Sequence, residues 1–471
     1  MILSELKLGN HMKHLNLRFA LVLSLLVTGC SNFRPFKQAV VETDPDFVQM
    51  HEILARIKPP KFADRNFPIT QFGAKPGVDN DSSDAITKAI AACNAAGGGH
   101  VIVPQGEWLT GPVVLKSNVD LHLEEGAVLK FKTDPNAYLP QVFSRFESSE
   151  IYGFSPFIYA LDQENIAVTG KGTLDGQANA QNWWSWIRGR PGRSKIAKMN
   201  MDSVPVTERV FTEADGLRPN FFQPVRCKNV MIEGVKIRNS PMWEVNPTLC
   251  TNVIVRGLDI VSHGPNNDGC DPDSCKDVLI ENCLFDTGDD CIAIKSGRNN
   301  DGRRVNVASE NIVIRNCDMK DGHGGVTIGS EISGSCRNVF VENCRMDSPN
   351  LNVVLRFKSN AVRGGTIENI HMRDVTVGQV AQQVLQIDFV YEEGANGPYK
   401  PTAQNITMKN VTVDRAPRLM SVVGFPGSII KDVTIKNSTF KSVLRDSVMR
   451  EADVQVVDCV VGKPAPATNP Q

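Results

Sequence analysis

The chain has 471 residues, with Lys+Arg 51 and Asp+Glu 52 for a net charge of −1. That balance excludes a broad basic footprint for nucleic acid and an acidic disordered tail. Hydrophobic content of 41% and charged content of 22% fit a globular chain, and the 12 cysteines include no CxxC pair, which removes support for zinc ribbons and thioredoxin-type sites.

The first element is an address. Lys13, His14 and Arg18 precede the apolar run Phe19 to Leu26, followed by Val27-Thr28-Gly29-Cys30. This reads as a secretory signal over residues 1–30, too short for a membrane span of about 20 apolar residues. Small residues before a cysteine resemble a bacterial lipobox, which implies cleavage before Cys30 and lipidation of its thiol. The expected location is the bacterial cell envelope, in the periplasm or at the outer membrane, with membrane contact only through the lipid. Residues 31–65 show no clear period and read as a tether, ahead of a catalytic domain over 66–460 and a tail over 461–471.

Next comes a predicted helix from Ser82 to Ala96. Apolar residues at 85, 86, 89, 90 and 93 have helical spacing, with Ser82 or Ser83 as N-cap and Gly97-Gly98-Gly99 as the stop. From Asn118 onward a short pattern recurs: Asn or Asp, alternating apolar residues, then Gly or Asn. Copies begin at Asn118, Asn165, Asn229, Asn252, Asp277, Asn311, Asn338, Asn369, Asn405 and Asp432. From Asn229 the spacings are 23, 25, 34, 27, 31, 36 and 27. Period-two alternation rich in Val and Ile predicts strands, and no helical pattern separates the copies. An all-β solenoid follows, best fitted by a right-handed parallel β-helix with an N-terminal capping helix. Cys227, Cys250, Cys275 and Cys336 sit two residues before a repeat, and Cys283, Cys317 and Cys344 six after one, so the thiols should form two interior ladders. They read as small buried hydrophobes, with stacked disulfides permitted in an oxidising envelope.

Residues 182–220 interrupt the repeat with Trp183, Trp184 and Trp186. Such an insertion beside a groove would close one end and favour cleavage from a chain end. The same tryptophans would equally serve as a core plug under the loop, or stack on sugar rings.

Four segments then carry chemistry: Asn267-Asp268-Gly269, Gly288-Asp289-Asp290, Gly322-His323-Gly324 and Arg356-Phe357-Lys358. They fall at similar phase in consecutive coils, and coils stack about 4.8 Å apart, so together they span about 15 Å. Adjacent carboxylates raise the pKa of at least one of them, and a protonated acid beside an ionised one is the equipment of glycoside hydrolysis. The Arg and Lys suggest an anionic substrate.

In order and spacing these segments resemble the four motifs of the polygalacturonases, glycoside hydrolase family 28, with similarity running from about Phe67 to at least Val433. The resemblance implies an inverting hydrolase of α-1,4-galacturonosyl linkages in pectic polygalacturonate, with no metal or other cofactor, acting as a monomer. It implies that Asp289 is the general acid, that Asp268 and Asp290 activate water, that His323 tunes the acid, and that Asn267, Arg356 and Lys358 contact substrate. Two departures matter: Asn267 stands where Thr is usual, and Phe357 where Ile is usual, so an aromatic there would alter a subsite. A rhamnogalacturonan or other acidic-glycan hydrolase of the same family is the alternative. A calcium-dependent pectate lyase, with Asp268 and Asp271 as ligands, and a non-catalytic polysaccharide-binding β-helix are more distant ones.

Overall fold

The computed structural model describes residues 42–463, so Cys30, the signal segment and most of the expected tether lie outside the described residues. Each repeat begins at a tight corner. Asn229, Asn252, Asp277, Asn311, Asn338, Asn369, Asn405 and Asp432 all have φ between 52° and 60°. Asn and Asp tolerate this left-handed region better than other residues with a side chain. Their side chains also stack: Asn229 donates to Asn165 at 2.8 Å, Asn252 to Asn229 at 2.8 Å, Asn311 to Asp277 at 3.0 Å and Asn338 to Asn311 at 2.9 Å. The polar mark of the repeat is therefore a side-chain ladder that joins successive corners wherever an Asn can donate to the coil before it.

Between corners the strands pair in parallel, and thirteen of them form one continuous sheet running from Asn66–Pro68 to Val454–Val457. Val230, Val253, Val278, Ile312, Val339, Ile370, Ile406 and Val433 are successive partners in one register, and all are buried. The result is the expected parallel β-helix. A further row, Ala293, Thr327, Arg356 and Gln386, lies on the sheet that floors the cleft. An antiparallel hairpin, Val142–Phe146 with Ser149–Gly153, stands outside the coil pattern. Helix α2 (Ser83–Ala95) covers the first coils with Ile86, Ala89, Ile90 and Cys93 buried in the main core. The two cysteine ladders form as expected; Cys250 N–H points at Cys275 Sγ at 3.4 Å, and all eleven described cysteines are free. Among the described residues, no helix is long and apolar enough to cross a membrane.

The tether expected over 31–65 needs correction from Asp44 onward. A short turn (Pro45–Phe47) and helix α1 (Val48–Arg56) lie along the outside of the thirteen-stranded sheet. Phe47, Met50, Ile53 and Ile57 bury against Ala167, Met231, Ile254, Leu279, Val313 and Phe340. Those sheet residues face outward and would otherwise form an exposed apolar stripe, which drives the docking. The strap runs against the direction of the coils: Asp46 meets Lys436 at 3.1 Å, Arg56 meets Asp277 at 2.9 Å, and Phe62 meets His100 edge-on at 5.8 Å. At the other end the solenoid continues to Val461, which pairs with Phe440, so the tail begins one residue later than expected.

Candidate active site

The loop after strand Asp259–Ser262 carries Asp268, the loop after Leu284–Thr287 carries Asp289 and Asp290, and the loop after Asp318–Met319 carries His323. Strand Val353–Lys358 supplies Arg356 and Lys358. These six residues line one cavity of about 270 Å³. Glycine lets the loops close up: a Cβ on Gly288 would lie 2.4 Å from Gly264 O, and one on Gly324 would lie 2.2 Å from Thr327 Oγ1 and 2.9 Å from Asp290 Oδ1.

Oxygens of Asp268, Asp289 and Asp290 lie within 4.8 Å of one another, yet their surroundings differ. Asp290 is fully buried and accepts from Thr327 Oγ1 at 2.9 Å and Lys358 Nζ at 2.8 Å, with Arg356 Nη1 at 3.4 Å. Burial alone would push its carboxyl up, but Lys358, Arg356 and Lys295 hold it far below the ordinary range. Asp268 is pushed the other way, first by burial and then by the charge of Asp289; its Oδ1 has no hydrogen-bond partner among the described residues. The side chain of Asp289 is 19% exposed, against 4% for Asp268, and its Oδ1 is 2.8 Å from His323 Nδ1. That hydrogen bond raises the His323 pKa. The expectation that adjacent carboxylates separate is met: Asp268 is the one raised, buried beside Asp289 with its ion-pair contact, Lys295, as far as 3.9 Å, whereas Asp290 holds Lys358 at 2.8 Å.

One expected substrate contact, Asn267, changes place, and another, Lys358, gains a partner within the pocket lining. Asn267 is fully buried: its Oδ1 accepts from Ser262 Oγ and Gly264 N at 2.7 Å, and its amide donates to Ser240 O and Met242 O at 3.1 Å. It braces the loop that aims Asp268 and does not reach substrate. Lys358 is 6% exposed and gives its ammonium to Asp290. Phe357 points into the core between them and shapes no subsite.

The structure adds groups that the motifs do not contain. Lys295 is fully buried, 3.3 Å from Glu331, 3.8 Å from Asp271 and 3.9 Å from Asp268, with Trp243 beneath it at 4.7 Å. Burial disfavours its charge, but Glu331, Asp268 and Asp271 together keep it protonated. An ammonium thus stands where Asp268 and Asp271 would hold a calcium ion, so the pair does not suit that role. Lys295 lies one strand alternation beyond Ala293, and period two alone directs it to the cleft. Tyr391, half-buried beside Lys358 and Arg356, offers an aromatic face to the pocket.

The insertion divides its labour. Trp183 and Trp186 are core plugs, packed on Tyr138, Phe154 and Phe157. Trp184 lies over Gly264 and donates to Ser240 O at 2.8 Å. Helix α3 (Gly192–Met201) brings Arg193 to the pocket, where it pairs with Glu147 of the hairpin.

The family model for glycosyl hydrolases family 28 matches residues 93–443. The hyperthermoactive exopolygalacturonase of Thermotoga maritima superposes with a TM-score of 0.84 at 40% identity, covering 87% of this chain and 95% of that one. The exo-poly-alpha-D-galacturonosidase of Dickeya chrysanthemi is 28% identical over 78% of this chain and 65% of its own. The endo-polygalacturonase of Pectobacterium parmentieri is 29% identical over 80% of this chain and 88% of its own.

Proposed function

The chain belongs to glycosyl hydrolase family 28, and on that premise we propose that it hydrolyses α-1,4-galacturonosyl linkages in pectic polygalacturonate, from a chain end and with inversion. The observation that carries this reading is the pocket, where three carboxylates share one cavity with Arg193, Lys295, Arg298, Arg356 and Lys358. Cations in that number suit an anionic sugar, and the carboxylates suit acetal cleavage. Asp289 is the most open of the three and reaches the leaving oxygen, with its proton supplied through His323. Asp290, kept ionised by its cations, takes the proton of a water that Asp268 holds from the other side. The water oxygen bonds to the anomeric carbon as the bond to the leaving oxygen breaks, which inverts that carbon.

End-wise action is supported by the wall of the pocket. Arg193 from the insertion and Arg298 both bind Glu147, closing one side with charged side chains. The cavity lies at the small end for a ligand site, as suits a chain terminus. The Thermotoga relative bears the exo name. Polygalacturonate digestion followed by chromatography and proton NMR tests both points. Monomer or dimer from the first minutes, released with inverted configuration, is expected. A ladder of oligomers ends the exo reading, and a retained anomer ends the inverting one in favour of a nucleophilic Asp.

We further propose attachment to the cell envelope through a lipid on Cys30. The support is the sequence Val27-Thr28-Gly29-Cys30 behind its basic and apolar segment. Radiolabelled palmitate should enter the expressed protein and be lost in Cys30→Ser.

A further inference from the structure

We propose that His263, Asp286 and Asp321 form a site for one divalent transition-metal ion of the zinc class, outside the catalytic pocket, which staples together the three loops that carry the catalytic groups. The site does not depend on the galacturonan reading. The three residues stand on successive coils, five residues before Asp268, three before Asp289 and two before His323. Among the described residues that line the pocket, none of the three appears. One ligand atom from each lies within 4.8 Å of the others, and His263 Nε2 is 3.0 Å from Asp286 Oδ1.

The backbone fixes this convergence. Gly288 N donates to Ser262 O at 2.9 Å and Thr287 N to Asp321 O at 3.1 Å, so the three coils are tied together beside the site. A Cβ on Gly288 would lie 2.8 Å from His263 C, and glycine there lets the His263 loop settle onto the next coil. Asp321 is also aimed from a fourth coil: Oδ1 accepts from Ser348 Oγ and Oδ2 from Asn350 Nδ2 at 3.0 Å. Metal-binding carboxylates are held by such outer hydrogen bonds, and each oxygen keeps a second lone pair for the ion. Charge points the same way. Among the described residues Asp286 has His263 alone as an ion-pair partner, and Asp321 has none. With a neutral imidazole the trio carries two negative charges that no lysine or arginine offsets.

The donor set selects the ion. One imidazole nitrogen with two carboxylates suits Zn²⁺ and its first-row neighbours, whereas Ca²⁺ and Mg²⁺ take oxygen ligands. Three protein ligands leave a fourth position for water. Ligands about 2.1 Å from zinc stand about 3.4 Å apart in a tetrahedron, so the trio closes by at most about 1.5 Å. The side chains of His263 and Asp286 are 46% and 24% exposed, free to make that movement and open to an ion from solvent. The ion takes no part in bond cleavage; it sets how firmly the loops that present Asp268, Asp289 and His323 are held to one another.

Calorimetric titration of Zn²⁺ into the full chain, without an affinity tag, tests the site. One ion should bind. His263→Ala and Asp286→Asn should each weaken that binding by more than about 100-fold, and Asn350→Ala, which removes an outer hydrogen bond, by about 10- to 100-fold. Asp289→Asn should leave it unchanged, which separates the site from the catalytic carboxylates. Excess Zn²⁺ should raise the melting temperature of the wild type and not that of His263→Ala. Circular dichroism checks the fold of each variant, and the isosteric Asp286→Asn carries the test if His263→Ala misfolds. No binding by the wild type, an ion retained at full affinity in Asp286→Asn, or an ion lost in Asp289→Asn overturns the inference. Hydrolysis of polygalacturonate by the metal-free enzyme is measured separately, so the activity stands or falls on its own.

Discussion

Lys358 places its ammonium 2.8 Å from Asp290 Oδ2, across 68 positions of sequence, in the buried floor of the pocket. The contact explains why two carboxylates adjacent in the chain behave differently: Asp290 has a cation of its own, while Asp289 turns to His323. It also gives Lys358, which lines the pocket, the task of keeping Asp290 charged.

Lys358→Met should therefore harm both stability and pH response. Removing one partner of a buried pair costs about 3–5 kcal/mol. Because the folded pKa of Asp290 is depressed, its stabilisation is full above the unfolded value near 3.9 and is lost as pH falls through the folded value. Without Lys358 that loss, and the acid limb of kcat/KM, should move to higher pH. Urea unfolding and a pH–rate profile read the two effects; an acid limb that stays in place refutes the assignment.

Asp289→Asn should lower kcat by about 10²- to 10⁴-fold while circular dichroism stays unchanged. Reducing-sugar release from polygalacturonate measures it. More than about a tenth of the wild-type rate would remove Asp289 from proton delivery.

His323 gives the alkaline side. Its pKa is raised by the hydrogen bond to Asp289, so the interaction is complete below about 6.5 and is lost as pH rises through the higher folded value. The alkaline limb of kcat should begin above that point. In His323→Gln, which cannot titrate, the limb should vanish along with part of the rate. An unchanged limb would assign it to another group.

Within the insertion, core and wall can be separated. Trp183→Ala should destabilise the fold by about 3–5 kcal/mol, as expected for a buried aromatic. Replacing residues 192–201 with a short Gly-Ser link leaves Trp183 and Trp186 in place but removes Arg193. Its products on long polygalacturonate should shift from monomer or dimer toward a ladder. A product profile identical to wild type would place the closed end elsewhere.

The strap yields a clean structural variant. Ile53→Asp puts a charge into the buried contact between α1 and the sheet, far from the pocket. The melting temperature should fall by several degrees while kcat is retained. An unchanged melting temperature would show that the strap adds nothing to the solenoid.

The solenoid was legible because its corners are chemically marked. Asn229, Asn252 and Asn311 recur where a left-handed residue and a side-chain ladder are both needed, and the apolar rows follow in period two. The four motifs were legible for a related reason: Asp268, Asp289 and His323 sit at similar phase beside glycines. Arg193, Arg298 and Glu147 were not, because they reach the pocket from a hairpin, an insertion and a loop whose paths no repeat dictates. Lys295 carried a signal, its place in the alternation after Ile292 and Ile294. Residues 44–57 carried one too, since Phe47, Met50, Ile53, Leu54 and Ile57 keep helical spacing, but its polar neighbours made it resemble a linker. Asn267 misled because its motif neighbour is a functional Asp, whereas its own amide is spent inside the loop.

The strap also sets an order of events. In a bare solenoid each coil meets only its neighbours, and the molecule could form from its first turn onward. Here Asp46 must wait for Lys436, which emerges 390 residues later. At about 5–20 residues per second that is a delay of about 20–80 s. Until then Asp46 lacks its contact with Lys436, and what is made first locks last. A chain cut short before the final coils would carry a strap with its far end unfastened, distinguishable by proteases from the finished protein.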